Sequence, residues 1–465
     1  MNLRKCSMKK AAVSLALSSS LLFSTLTPSV AQAKGPVAPD KPLVKNIIVM
    51  ISDGCGYNQL DAASMYQYGK TGKQLYEHFP VRFAMSTYSH DGEYDPAEAW
   101  ASFDYVKSIP GQHTATDSAA AGTAMSTGVK TYDAAIGVDY DKNVVKHIAE
   151  KAEELGKATG VISSVEFNHA THASFVAHNV SRNDYAGIAN EMLMSSATDV
   201  IMGAGHPYFT DNNTPRVPNA GDFKYVGGQT TWEDLIDGSL SVADADGDGA
   251  TDPWTVVQTR DEFVNLMTGD TPKRVVGVPQ VATTLQQARS GDAKAAPYVV
   301  GLNQNVPTLA EMTKGALNVL DNDQDGFFIM IEGGAIDWAG HANQSGRVIE
   351  EEIDFNRSVE AVCDWVKQNS NWGETLLIVT GDHETGYLTG TVDGAPVWTD
   401  LVNNGAGNLP GMQWNSGDHT NSLIPFFAKG DAARIFKSYA DQSDPVHGKY
   451  IDNTEVAKVL FEIIE

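Results

Sequence analysis

The sequence predicts an α/β fold, with a central, largely parallel β-sheet flanked by helices on both faces. Two observations predict it. Strand-like and helix-like segments alternate along the chain, the pattern of repeated β–α units. In addition, three apolar runs, IIVMIS, FFIMI and LLIVTG, each lead into an acidic residue: Asp53, Glu332 and Asp382. Continuous apolar runs mark strands buried on both faces. An open parallel sheet binds its ligand outside the carboxyl ends of its strands, so these three should deliver acids to one rim.

Taken in order, the first strand spans 46–52 and a second 83–89. A helix over 143–155 leads into a strand at 159–164, and a helix over 184–194 leads into a strand at 200–202. The rhythm then loosens between about 206 and 297, where Gly, Asp, Thr and Pro accumulate; this reads as an insertion on one large domain rather than a second domain. Regular alternation returns with a helix at 307–320, a strand at 327–332, a long helix at 348–368 and a strand at 375–380. A strand at 423–428 and a helix at 453–464 complete the chain.

Composition narrows the function classes. The 465 residues include 33 Lys+Arg, 58 Asp+Glu and 42% hydrophobic residues, which excludes a disordered chain. A net charge of −25 argues against nucleic acid or an anionic membrane as the main partner. Three Cys cannot staple a chain of this length. Cys55 and Cys363 are expected to be unpaired, and Cys363 falls on the apolar stripe of the 348–368 helix as a small hydrophobe.

Residues 1–33 have the layout of a secretory signal peptide. Arg4, Lys5, Lys9 and Lys10 precede an apolar run from Ala11 to about Leu26, and Ala31-Gln32-Ala33 supplies small residues for cleavage. Cleavage after about Ala33 removes those four basic residues, leaving 29 against 58 acids, a net charge of −29. The expectation is a periplasmic or secreted protein.

Several residues have chemistry to offer beyond the three strand ends. Asp337 and His341 stand at i and i+4, so they share one face if the segment is helical. His383 follows Asp382, and His419 lies in Ser416-Gly-Asp-His-Thr420. Asp53, Glu332, Asp337, His341, Asp382, His383 and His419 exceed the needs of one ion, and mixed Asp/His donors suit zinc while oxygen donors suit magnesium. A multi-metal site is the reading. Ser118 heads a run of small residues, Ser118-Ala-Ala-Ala-Gly122, that suits a tightly packed helix whose N-terminus would favour a phosphate or an oxyanion.

Two Asp-rich stretches stand apart. Asp244-Ala-Asp246-Gly-Asp248-Gly-Ala-Thr-Asp252 has the first half of a calcium loop but Thr255 at position twelve, which leaves Ca2+ binding and a solvated acidic turn both open. Asp321-Asn-Asp323-Gln-Asp325-Gly326 has Glu332 at position twelve, yet the residues between read as a buried strand, so Glu332 is expected to serve elsewhere.

The segments HTATDSAAAGTAMSTGVKT (113–131), KNIIVMISDGCG (45–56), GFFIMIEGGAIDWAGH (326–341), IVTGDHETG (378–386) and GDHTNSLIP (417–425) resemble the bacterial alkaline phosphatases, in that family's order and across nearly the whole mature chain. The resemblance implies a secreted, homodimeric metalloenzyme that hydrolyses phosphate monoesters. It implies Ser118 as the nucleophile that becomes phosphorylated, Arg182 as the phosphate clamp and Asp117 as the residue that orients Arg182. Asp337, His341 and His419 would hold one Zn2+, and Asp53, Asp382 and His383 a second. Asp53 would also bridge to a Mg2+ site with Thr171 and Glu332. His169 and Trp338 stand where some members have Asp and Lys, which bears on how phosphate is held and whether Zn2+ or Co2+ competes at the third site. His172 stands where Pro is expected.

Two other readings compete. A phosphodiesterase of the same superfamily would lack the third site that Thr171 and Glu332 supply; a sulfatase would need a Cys-x-Pro-Ser-Arg context that Cys55 does not have. A non-catalytic calcium-binding protein would explain the Asp-rich loops but not Ser118 or the three His.

Overall fold

The continuous apolar runs form strands whose two sides feed two different cores. In β1 (Asn46–Ser52) every residue is buried; Ile47, Val49 and Ile51 join one hydrophobic cluster while Ile48 and Met50 join another. The period-two alternation of a strand sends successive side chains to opposite faces. Helices Ser118–Thr127, Ile148–Glu154 and Thr454–Ile463 contribute to the first cluster, and helices Leu309–Leu320 and Ser345–Asn369 to the second. The sheet is therefore covered on both faces, as its apolar strands require. Cys363 is buried in the second cluster.

The computed structural model describes residues 43–107, 115–247, 249–391 and 393–464. The expected signal peptide, His113 and Thr114 of the serine motif, and Asp248 lie outside the described residues. The remaining strands are β2 (Val81–Ser86), β3 (Ala158–Glu166), β4 (Val200–Ala204), β5 (Thr255–Val257), β6 (Val275–Gly277), β7 (Phe327–Gly333), β8 (Thr375–Thr380), β9 (Glu384–Thr385), β10 (Leu388–Thr389), β11 (Gln413–Trp414), β12 (His419–Thr420), β13 (Ile424–Lys429), β14 (Gln442–Asp444) and β15 (Gly448–Asp452). Ten of them join β1 in one eleven-stranded sheet, in the order β14-β15-β2-β13-β8-β1-β7-β3-β4-β6-β5. Its described pairings are parallel except where β13 meets β2 and β8 and where β14 meets β15. The central strands are in register: Ile51 lies opposite both Glu332 and Thr380, and Ser163 opposite Glu332. Their carboxyl ends therefore stop at one level.

Some sequence expectations need correction. The strand expected at 83–89 is Val81–Ser86. The helix expected from 143 begins at Ile148, because His147 caps it: its ring accepts from Glu150 N while Glu150 Oε2 accepts from His147 N at 3.0 Å. The helix expected over 184–194 runs Tyr185–Asn190 and then loosens into a single wider turn, Glu191–Ser195. The stretch 206–297 contains β5 and β6, which extend the sheet beyond β4. Within it, Lys273 Nζ bonds Asp246 and also Asp252 Oδ1 at 2.9 Å, so an ammonium already meets the acidic turn's charge.

The small-residue run after Ser118 is the helix Ser118–Thr127, and its packing explains its composition. Ser126 Oγ donates to Ser174 O at 2.7 Å, and a Cβ on Gly122 would run into Ser174 Oγ and come within 3.0 Å of the Thr171 carbonyl. Gly122→Ala should force the helix away from the Thr171 segment and cost about 1–3 kcal/mol by overpacking. Urea unfolding would measure this, and an unchanged midpoint would show that the contact can relax freely.

Candidate active site

Seven chain segments deliver side chains to the rim where the strands end. β1 runs into Asp53, β7 carries Glu332 as its penultimate residue, and β8 is followed by Asp382 and His383. β3 leads to His169, Thr171 and His172, while helix Ala335–His341 presents Asp337 and His341 one turn apart. His419 arrives on β12, held against β9 by pairing with Thr385. Ser118 is the first residue of its helix, yet it is not the cap: Asp117 Oδ1 accepts from Ala120 N at 2.9 Å. Its hydroxyl is thereby free for other contacts, and Ser118 Oγ lies 3.1 Å from His383 Nε2.

The hydrogen bonds fix the imidazole tautomers. His341 Nδ1 lies 2.6 Å from Gly417 O, and His419 Nδ1 lies 2.8 Å from Thr116 O, so both Nδ1 atoms donate. Each Nε2 is then the atom that faces inward. Those two atoms are 3.0 Å apart, and Asp337 oxygens stand 3.3 Å from the first and 3.5 Å from the second. Thr385 Oγ1 donates to Asp337 Oδ1 at 2.5 Å, so its oxygen accepts from His383 Nδ1 at 3.3 Å. His383 Nε2 therefore turns toward Asp382 Oδ2 at 3.2 Å and Asp53 Oδ1 at 3.6 Å. Two donor sets result, Asp337 with His383 and His419 and Asp53 with Asp382 and His383, and His341 adds to the first.

A third cluster adjoins them. Thr171 Oγ1 donates to Asp53 Oδ2 at 3.1 Å, and His172 Nδ1 lies 2.6 Å from Glu332 Oε2. Asp53 Oδ1, Asp382 Oδ2, Glu332 Oε1 and His172 Nε2 are buried without a hydrogen-bond partner.

Electrostatics follows from this crowding. Burial, reinforced by Asp382, Asp337 and Glu332, pushes the Asp53 carboxyl well above its ordinary range. Asp382 is raised to about 7 by burial and by Asp337. Asp337 goes the other way: burial opposes its charge, but hydrogen bonds from His341 and His419 hold it well down. Against burial, Asp337 in turn raises His341 to about 9. Unpartnered acceptors, converging lone pairs and acids forced toward neutrality are what divalent cations relieve, with release of the protons they displace. The donor chemistry fits zinc at the two His-containing sets, and the oxygens of Asp53, Thr171 and Glu332 fit magnesium.

Beside the clusters opens a cleft of about 580 Å³, lined by Ser118, Arg182, His169 and Trp338 among others. Arg182 Nη1 bonds Asp117 Oδ2 at 2.9 Å and its Nη2 lies 3.4 Å from His169 Nε2. His169 meets the Trp338 ring edge-on, with centroids 5.4 Å apart. The residues singled out as nucleophile, cation donors and phosphate contacts thus converge on this rim, whereas Asp244, Asp246 and Asp323 line a separate cleft.

The family model for alkaline phosphatase matches residues 44–404 of the chain. The chain belongs to the alkaline phosphatase family. It is a hydrolase of that family. The alkaline phosphatase of Escherichia coli (strain K12) is 30% identical over 441 residues, covering 87% of this chain and 85% of that protein. Alkaline phosphatase 3 of Bacillus subtilis (strain 168) is 27% identical and covers 97% of this chain and 96% of its own length. Among solved structures, the alkaline phosphatase of the Antarctic bacterium TAB5 superposes with a TM-score of 0.59 at 26% identity, covering 91% of this chain and 98% of that one. A histidine-to-aspartate variant of the same enzyme, with magnesium bound in its M3 site, gives 0.61 at 25% identity.

Two contacts within this alkaline phosphatase site were not foreseen from the sequence. Thr385 joins the two donor sets by touching Asp337 and His383. Its position two residues after His383 was the available signal. His172 pairs with Glu332, the partner that its sequence position alone did not reveal.

Proposed function

We propose that the chain hydrolyses phosphate monoesters through a phosphorylated Ser118, in a site that holds two zinc ions and one magnesium. The observation that supports this best is Ser118 itself: a hydroxyl released from capping, at the head of a ten-residue helix, facing the shared imidazole of two metal-type donor sets. Asp337, His341 and His419 would hold one zinc, Asp53, Asp382 and His383 the other, and Asp53, Thr171 and Glu332 the magnesium. Bound there, these cations supply Lewis acidity to the oxygens that gain negative charge.

The chain's own groups do the rest. Arg182, steadied by Asp117, grips two phosphoryl oxygens with its planar fork, a geometry Lys cannot copy. The free N–H groups of the Ser118 helix face the same anion. Ser118 Oγ gives up its proton and attacks phosphorus in line; the Oγ–P bond forms, the bond to the alcohol oxygen breaks, and that oxygen takes up one proton in exchange, so the alcohol leaves neutral. Water then attacks the phosphoserine, the Oγ–P bond breaks, and inorganic phosphate departs. His169 and Trp338 border the phosphate and hold its waters.

Export by the 1–33 leader and assembly as a homodimer belong to the same proposal. Among the described residues no helix is long and apolar enough to cross a membrane. The experiment compares p-nitrophenyl phosphate with bis-p-nitrophenyl phosphate. The monoester should be preferred by about 10³-fold or more in kcat/KM, because a diester blocks an oxygen that Arg182 and the cations require. Equal rates on both esters would sink the monoesterase reading.

A further inference from the structure

We infer that the mouth of this cleft selects the alcohol half of the ester by charge, favouring phosphate monoesters of cationic, choline-like alcohols over those bearing a second anionic group. The inference rests on the monoesterase reading and names a substrate class for the same site.

Charged side chains beyond the donor sets line the cleft. Arg182 is the one Lys or Arg among the described lining residues, and it is committed to Asp117 at 2.9 Å and to the phosphoryl group. Besides Asp337 of the donor sets, three acids line the same cleft: Asp117, Asp133 and Asp418. Asp133 Oδ1 accepts from Asp117 N at 3.4 Å, which keeps its carboxylate beside the Ser118 segment. Asp418 is exposed; its backbone N–H donates to Ser416 Oγ at 2.9 Å and its carbonyl accepts from Gly386 N at 3.0 Å, while no hydrogen bond among the described residues involves its carboxylate. Its carboxylate is therefore available to a ligand entering the cleft.

The neutral lining has matching chemistry. Trp338 presents a partly exposed ring to the cleft, and an indole face attracts a desolvated cation. Gln287 Nε2 donates to Gln344 Oε1 at 2.9 Å, which leaves the Gln287 carbonyl oxygen as an acceptor. An aromatic face, a carboxylate and an amide oxygen form a set that receives a quaternary ammonium or an ammonium group. A carboxylate or second phosphate on the alcohol would meet Asp418, with no lysine among the described lining residues to answer it. Cations at the donor sets would not reverse this, since their charge is spent on their own carboxylates and on the dianionic phosphoryl group. The chain's net charge of −25 pushes in the same direction at longer range.

The test measures kcat/KM of the zinc- and magnesium-loaded enzyme on phosphocholine, glycerol phosphate and phosphoglycolate, at one pH and in low and molar salt. Wild type is compared with Asp418→Asn and Asp418→Lys, so that each ester's intrinsic reactivity cancels. In low salt the phosphocholine-to-phosphoglycolate ratio should fall about threefold in Asp418→Asn and about tenfold in Asp418→Lys, as expected for one and two unit charges in partly screened water. In molar salt these differences should shrink. Ratios that are the same in all three proteins would overturn the inference while leaving the monoesterase reading intact. Failure to hydrolyse any of these esters or p-nitrophenyl phosphate would overturn both.

Discussion

Replacing Ser118 by alanine should lower kcat/KM for p-nitrophenyl phosphate by about 10³-fold or more, a loss of about 4 kcal/mol of transition-state stabilisation. Only water would then be left to attack phosphorus. Folding should hardly change, because Asp117 rather than Ser118 caps the helix and Ser118 contributes only its hydroxyl contact to His383. Ser118 is buried, and losing one hydrogen bond of this kind costs about 0.5–1.5 kcal/mol. Alanine is also a strong helix former, which suits the first turn. Three readings check the expectation together. Zinc content and thermal melting should match wild type, activity should collapse, and acid-quenched wild type should carry labelled phosphate on Ser118 alone. Phosphate trapped on another residue, or a loss under tenfold, would remove Ser118 from the nucleophile's role.

The sequence was most readable where burial alone decides structure. β1 and β8 have the bounds expected of them, because an uninterrupted apolar run can only be buried on both faces. β5 and β6 are three residues each and gave no pattern; their place comes from pairing with each other and with β4. Helix Tyr57–Tyr68 was invisible for a different reason. Its sequence YNQLDAASMYQY mixes polar residues into the buried face, where Gln59 Nε2 donates to Glu384 Oε1 at 2.6 Å and Asn58 Nδ2 to Leu388 O at 2.7 Å. Those amides brace the segment after His383, so tertiary hydrogen bonding overrode the periodicity that sequence reading depends on.

The site shows the same division. Which residues could bind cations was legible, because strand ends and an i,i+4 pair can be counted along the chain. Which nitrogen of each His faces inward was not. That depends on Thr116 O, Gly417 O and Thr385 Oγ1, atoms of residues whose types carry no such signal.

Stripping the metals should abolish activity and also loosen the fold, and the second effect follows from this chain's burial. Asp53, Glu332, Asp337 and Asp382 are each at most 4% exposed, within one rim. Three of them keep an oxygen with no hydrogen-bond partner. Burying such charge is costly unless an opposite charge compensates it. A cation held at 100 times its Kd stabilises the native state by about 2.7 kcal/mol, so two or three ions supply several kcal/mol. Dialysis against a chelator should therefore lower the melting temperature by on the order of 5–10 °C and cut activity by about 10³-fold or more, and zinc with magnesium should restore both. The Ser118→Ala protein should show the same melting drop, since it keeps every donor, which separates the cations' structural contribution from their catalytic one. Identical melting curves with and without chelator would mean that the carboxylates are neutralised by protons alone. Recovery by calcium but not by zinc would favour the calcium-binding reading over a zinc hydrolase.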